Sequence, residues 1–300
     1  MKKLLAVLLT AAMTMAMLTA CGSSTEATDT TTETTEAEAD TTTDDAAVEE
    51  TAEAADAAEE TADAAEEAAV SEALADGMLT AGTNAEFPPF EYVGDDGEAD
   101  GFDIALIKAI GEKLGVDVQV DNMEFASLVS SIGNKIDVAI AGMTITDERK
   151  EAVDFSEPYY EAVQYVLLPE GSEIATAEDL KNKTIGVQLG TTGDFIASDI
   201  EGTTVNTYNK GVDAVNDLIN GRVDCVIIDK NPALVFESKF QDDGSEITAV
   251  DGAQFEFEPE YYAIAVPKGD TALVDAINKA IEELKADGTF DELVKTYIEE

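Results

Sequence analysis

From Met78 onward, apolar residues fall into short runs and helix-period stripes. Met78–Thr83 reads as a first strand, and 103–114 carries Ile104, Ile107, Ala109, Ile110 and Leu114 on one helical face that Gly115 ends. Residues 116–120 alternate as a strand, 125–132 form a short helix, and Ile136, Val138 and Ile140 mark a strand over 136–141. Between the first strand and the first helix, Pro88-Pro89 fixes φ and bars helix, so 84–90 is a rigid loop, and Asp95-Asp96-Gly97 is a turn. The order strand, helix, strand, helix, strand predicts a parallel, helix-covered sheet.

A second set follows. Tyr165-Val166-Leu167-Leu168 opens it, with a helix start at 176–180, a strand over 184–187 and a helix introduced by Gly190-Thr191-Thr192-Gly193. A strand at Thr204–Tyr208, a helix over 211–218 and the buried strand Cys225-Val226-Ile227-Ile228 complete it. Tyr261-Tyr262-Ala263-Ile264-Ala265-Val266 is a further strand, and helices over 271–286 and 290–298, broken at Asp287-Gly288, close the chain. Two α/β lobes of roughly a hundred residues each suit this length.

The N-terminal stretch follows neither pattern. Met1-Lys2-Lys3 and the apolar run 4–20 have the shape of a secretory signal peptide over 1–20, too short for a convincing permanent span. It ends in Leu18-Thr19-Ala20-Cys21, which resembles the bacterial lipobox; that resemblance implies that Cys21 receives a diacylglycerol and begins the mature chain, the alternative being a free thiol. Residues 21–77 are almost wholly Ala, Thr, Glu and Asp, and no Lys or Arg occurs between Lys3 and Lys108. Such a segment cannot bury enough apolar area to offset its ordering. A lipid-anchored, disordered acidic linker is expected over 21–77, with transient helix over 46–75, spacing the folded part from the membrane.

Composition narrows the chemistry. There are 17 Lys and Arg against 65 Asp and Glu, with no His and no Trp. A polyanion of this kind is repelled by nucleic acid and by anionic lipid, so no nucleic-acid partner is expected and the membrane is met by the lipid anchor only. Without histidine the commonest general base and metal ligand are missing, and neither cofactor nor metal is expected. Asp96-Gly97-Glu98-Ala99-Asp100-Gly101 faintly resembles a calcium loop, but Ile107 stands where its bidentate Glu belongs. Cys225, inside an apolar strand, reads as a small buried hydrophobe.

The chemical signal is strongest at Ala141-Gly142-Met143-Thr144-Ile145-Thr146-Asp147-Glu148-Arg149. Gly142 lets a small molecule approach the backbone carbonyl, Thr144 offers an amide N–H and a hydroxyl, and Arg149 offers a planar fork of donors matched to a carboxylate. Together these can hold both ends of a zwitterion. An ordinary strand-to-helix turn with a surface arginine fits the same nine residues.

Further stretches join this one in a fixed order: Gly82-Thr83-Asn84-Ala85-Glu86-Phe87-Pro88-Pro89-Phe90-Glu91-Tyr92, Gly101-Phe102-Asp103-Ile104, Asp154-Phe155-Ser156-Glu157-Pro158-Tyr159-Tyr160, Ile185-Gly186-Val187-Gln188-Leu189-Gly190-Thr191-Thr192, Gly221-Arg222-Val223-Asp224 through Asp229, and Lys285-Ala286-Asp287-Gly288-Thr289-Phe290. The set resembles the solute-binding lipoproteins of polar amino-acid ABC importers, the family 3 extracellular solute-binding proteins, over about 79–298. The resemblance implies an α/β, two-lobed periplasmic-binding-protein-like fold of type II. Lobe I is then 78–159 with 263–300, lobe II is 164–258, and crossing strands lie near 160–163 and 258–262. It also implies a hinged closure over a polar L-amino acid, an ABC permease as partner, and a monomer in the cell envelope.

Carried to matching positions, the resemblance gives Arg149 to the ligand carboxylate, assisted by the N–H groups of Thr144 and Thr192. It gives Asp229, the Gly142 carbonyl and the Thr144 hydroxyl to the ammonium. A desolvated zwitterion needs every charge paired in any case. Asp229 also reads as a helix N-cap before Asn231-Pro232. Phe87 and Phe125 become apolar walls, or plain core. Asn84, Gln188 and Ile228 fall where the family sets side-chain preference, and their neutrality leans toward a neutral polar amino acid, while Glu86, Glu91 and Asp103 leave arginine or lysine open. Rival readings are an enzyme on the same fold (a dehydratase or lyase), which the missing histidine disfavours, and a sensor module.

Overall fold

Phe90 shows how this chain is held together. In a computed structural model that describes residues 71–299, its ring is fully buried and meets Phe87, Phe102, Tyr160 and Tyr262 at centroid distances of 6.0, 6.2, 5.0 and 5.2 Å. Those rings come from the first loop, the first helix and two segments where the chain passes between sheets. The signal peptide, Cys21 and most of the linker expected above lie outside the described residues. The last part of that linker is already folded: the Ser71 hydroxyl bonds Asp270 at 2.7 Å and caps a short 3-10 turn over Glu72–Leu74.

In chain order come β1 (Met78–Thr83), a small ribbon of β2 (Glu86–Phe87), β3 (Glu91–Val93) and β4 (Ala99–Asp100), α1 (Phe102–Leu114), β5 (Asp117–Asn122), α2 (Leu128–Ser131), β6 (Val138–Ala139), α3 (Asp147–Ala152) and β7 (Val153–Phe155). β8 (Tyr160–Ala162) leads to β9 (Gln164–Pro169), β10 (Thr184–Gln188), α4 (Thr192–Asp199), β11 (Thr204–Tyr208), α5 (Gly211–Ile219), β12 (Cys225–Asp229), α6 (Lys230–Asp242) and β13 (Ile247–Asp251). β14 (Glu260–Tyr262), β15 (Ala265–Pro267), α7 (Thr271–Asp287) and α8 (Thr289–Tyr297) finish it.

Two five-stranded sheets result, ordered β5-β1-β6-β15-β7 and β11-β10-β12-β9-β13. β8 and β14 pair antiparallel, Tyr160 opposite Tyr262, where the chain leaves the first sheet and returns. The sheets are mixed rather than parallel. β1 runs parallel to β5 and β6, but the returning β15 lies antiparallel to β6 and β7; β9, entering the second sheet, lies antiparallel to β12 and β13. Each reversal occurs where a segment arrives through the crossing ribbon instead of over a helix, which a helix-by-strand reading does not register.

Other differences are local. The 136–141 strand joins the sheet only at Val138–Ala139, with Ile136 in an isolated bridge to Ile132, and the expected 261–266 strand breaks at Ala263-Ile264. Residues 125–127 are a 3-10 turn before α2, and 177–180 another, with a Thr176/Asp179 capping box. β13 is not anticipated, and of α6 only the Asp229 N-cap alternative is; α6 buries Pro232, Ala233 and Phe236. Because Phe90 is a shared hub, Phe90→Ala should lower unfolding stability by about 3–5 kcal/mol in urea titration; a loss below about 1 kcal/mol would contradict that role.

Candidate functional site

The loop after β6 and the start of α3 supply the one cation of the site. Thr146 caps α3, accepting from the Arg149 N–H at 3.1 Å, and this turns the Arg149 side chain inward, where only 7% of it is exposed. Its guanidinium lies 5.3 Å over the Phe125 ring, donates to the Thr144 carbonyl at 2.6 Å, and reaches the Gly190 carbonyl at 3.0 Å. Those bonds use two of five N–H donors, and among the described residues no carboxylate lies within 4.0 Å of it. Burial pulls its pKa down to about 10, so it stays charged at neutral pH.

Opposite charge arrives from β12. Asp229 ends that strand, buried, at the N-cap position of α6, but its side chain makes no cap bond. It accepts instead from the Tyr262 hydroxyl. Burial, then the charge of Glu260, pushes its pKa up to about 7.

Gly142 sits between them with φ +53, and a Cβ there would come within 2.8 Å of the Phe87 ring, so both backbone and space demand glycine. The Gly142 N–H donates to Asp103 at 2.7 Å, and Asp103 also accepts from the Tyr159 hydroxyl at 2.8 Å. Beside Asp103 is Glu91, wholly buried, its pKa raised well above the usual range by burial and by Asp103, which is itself pushed up to about 6 by burial. Asp103 anchors the loop through the Gly142 N–H and leaves the Gly142 carbonyl free of that anchor, while both Glu91 oxygens are buried without a hydrogen-bond partner.

Asn84, Phe87, Glu91, Phe125, Ala141, Gly142, Thr144, Arg149, Gln188, Thr191, Thr192 and Asp229 line one tight crevice. The nine residues singled out from sequence (Asn84, Phe87, Phe125, Gly142, Thr144, Arg149, Gln188, Thr192, Asp229) therefore stand together. Gln188 bridges the crevice, donating to Asn84 Oδ1 at 2.9 Å, while its own Oε1 is buried without a partner. Lys210 pairs with Glu86 at the rim. Ile228, weighed for side-chain preference, is instead core under Gly211.

Residues 79–300 match the bacterial extracellular solute-binding proteins, family 3. The chain belongs to that family. It is 35% identical over 221 residues to the L-cystine-binding protein TcyJ of Escherichia coli K12, covering 72% of this chain and 81% of that one. It is 35% identical over 225 residues to the arginine-binding extracellular protein ArtP of Bacillus subtilis, covering 73% and 85%. A solved ancestral arginine-binding protein bound to arginine superposes with a TM-score of 0.69 at 41% identity, covering 74% of this chain and 98% of that one.

In this family 3 protein, sequence reasoning passed over Glu260 and Tyr262 as parts of a crossing strand. Glu260 accepts from the Thr144 and Thr192 hydroxyls at 2.6 and 2.7 Å, and Thr192 also accepts from Gln164 at 3.1 Å. The only available signal was an acid and a tyrosine two residues apart on a short strand, which alternation places on one face.

The raised Asp229 pKa has a sign. Stability contributed by its neutral form is present below the unfolded value of 3.8 and is lost as pH rises through about 7. Ligand-free Asp229→Asn should therefore melt higher than wild type at pH 8, with the advantage shrinking toward pH 5; a constant difference across that range would contradict the assignment.

Proposed function

We propose that this protein captures a polar L-amino acid in the Arg149–Asp229 crevice and hands it to an ABC importer. The observation that carries the reading is a buried guanidinium with uncommitted donors sharing a small crevice with a buried carboxyl group. That pair matches the two charged ends of an α-amino acid, and either group buried alone is unfavourable. The Arg149 fork takes the carboxylate, aided by the N–H groups of Thr144 and of Thr192 at the first turn of α4. Asp229, the Gly142 carbonyl and the Thr144 hydroxyl take the ammonium.

Residues 78–159 with 263–300 act as one lobe and 164–258 as the other, closing about β8 and β14. Bonds from Arg149 to Gly190 and from Gln188 to Asn84 support a closed state, since each joins the two parts. No step of covalent chemistry is assigned. Cys21 carries the lipid, 22–70 spaces the body from the membrane face, and the protein works as a monomer at the cell envelope.

Charge favours a cationic guest. Besides Arg149, the crevice holds Asp229, Glu260 stands beside it, and Gln188 Oε1 asks for a donor. An arginine-like side chain meets both needs; a neutral amide side chain, favoured by the uncharged Asn84 and Gln188, meets the second only.

In a thermal-shift screen of the common L-amino acids and L-cystine, L-arginine should raise the melting temperature, a ligand at 100 times its Kd adding about 2.7 kcal/mol. A flat response across the set would overturn the function. Arg149→Ala should weaken binding by at least about a hundredfold, the range for breaking a buried charge pair, as read by titration calorimetry; wild-type affinity in that variant would overturn the site.

A further inference from the structure

A single carboxylate oxygen collects protons from both sides of the crevice. Half-buried Glu260 opens β14, and its Oε2 accepts the Thr144 hydroxyl at 2.6 Å and the Thr192 hydroxyl at 2.7 Å. Thr144 belongs to the loop after β6 of the first sheet, and Thr192 begins α4 beside the second. Thr192 Oγ1 is used on both counts, since it also accepts from Gln164. Thr144 Oγ1 is not. A hydroxyl has one proton, and with that proton given to Glu260 only lone pairs remain. An ammonium can only donate and a carboxylate can only accept, so an oxygen held in this state suits the first and rejects the second.

We propose that Glu260 is a specificity-determining positioning residue: it fixes the Thr144 hydroxyl as an acceptor for the guest ammonium and ties Thr192, across the crevice, to the same point. The proposal rests on the amino-acid-binding reading. Glu260 acts through the two threonines and through its field. The groups around it are Arg149 from α3, Asp229 from the end of β12 and Tyr262 beside it on β14, with Glu91 and Asp103 beyond Asp229. Its negative charge raises Asp229, and so sets how far the pH can fall before Asp229 stops attracting an ammonium.

Two variants separate the hydroxyl from the charge. Glu260→Gln keeps an oxygen that accepts both hydroxyls and removes the charge; Glu260→Ala removes both. Titration calorimetry of the purified protein would use L-arginine and L-histidine, each against its α-desamino counterpart, 5-guanidinopentanoate or imidazolepropionate. Glu260→Ala should narrow the preference for the amino acid by about tenfold, the scale of one charge-assisted hydrogen bond, and Glu260→Gln should restore most of it. In Glu260→Gln the loss of affinity on acidification should begin at lower pH than in wild type. Unchanged preference in Glu260→Ala, or equal narrowing in both variants with an unmoved acid limb, overturns the proposal. A wild-type protein that binds neither amino acid overturns the cationic-guest reading instead. The ligand-free proteins then still decide: wild type should lose more melting temperature than Glu260→Gln between pH 5.5 and pH 8, and equal losses overturn the role of Glu260.

Discussion

A buried guanidinium with no acid paired to it is the constraint from which the rest of this structure follows. Arg149 is nearly dry, rests on Phe125, and is held by two backbone carbonyls rather than by an acid. Removing a charge from water is unfavourable unless it is paired, and carbonyl dipoles compensate only in part. Asp229 faces the mirror-image problem, and its raised pKa reports it. A guest carrying one negative and one positive end relieves both groups at once, and a guest lacking either end leaves one of them strained. The same electrostatics make the ligand-free form sensitive to pH.

The fold serves this pair by bringing it together from distant segments. Arg149 stands on a short helix after the first sheet, Asp229 ends a strand of the second, and Glu260 opens the strand that carries the chain back. Around them the support is layered. Asp103 and Tyr159 pin the Gly142 loop, Glu91 stands behind Asp103, and the Phe90 cluster packs the crossing ribbon against α1. Bonds that cross the crevice are few and polar, which suits an interface that opens and closes better than an apolar one would.

Much of this was legible in the sequence where a local rule and a global one agree. Gly142 was marked as a position needing no Cβ, and the Phe87 ring against it shows why. α1 was read from its stripe because it packs one apolar face on the core. The body of α6 was missed because Leu234 is apolar but exposed beside buried Ala233 and Phe236, so no clean stripe stands out. The antiparallel returns of β9 and β15 were missed because a strand's direction is set by where the chain comes from, which its own residues do not encode. In the site, residues with recognisable chemistry beside glycine turns were found. Glu260 was not, because its role appears only when two threonines 48 residues apart reach one oxygen.

The most direct test is a crystal structure of the protein with the amino acid that stabilises it most. The account predicts the ligand carboxylate on the Arg149 guanidinium and the ammonium among Asp229, the Gly142 carbonyl and Thr144 Oγ1. A ligand bound the other way round, or seated where Arg149 and Asp229 do not both reach it, would contradict it.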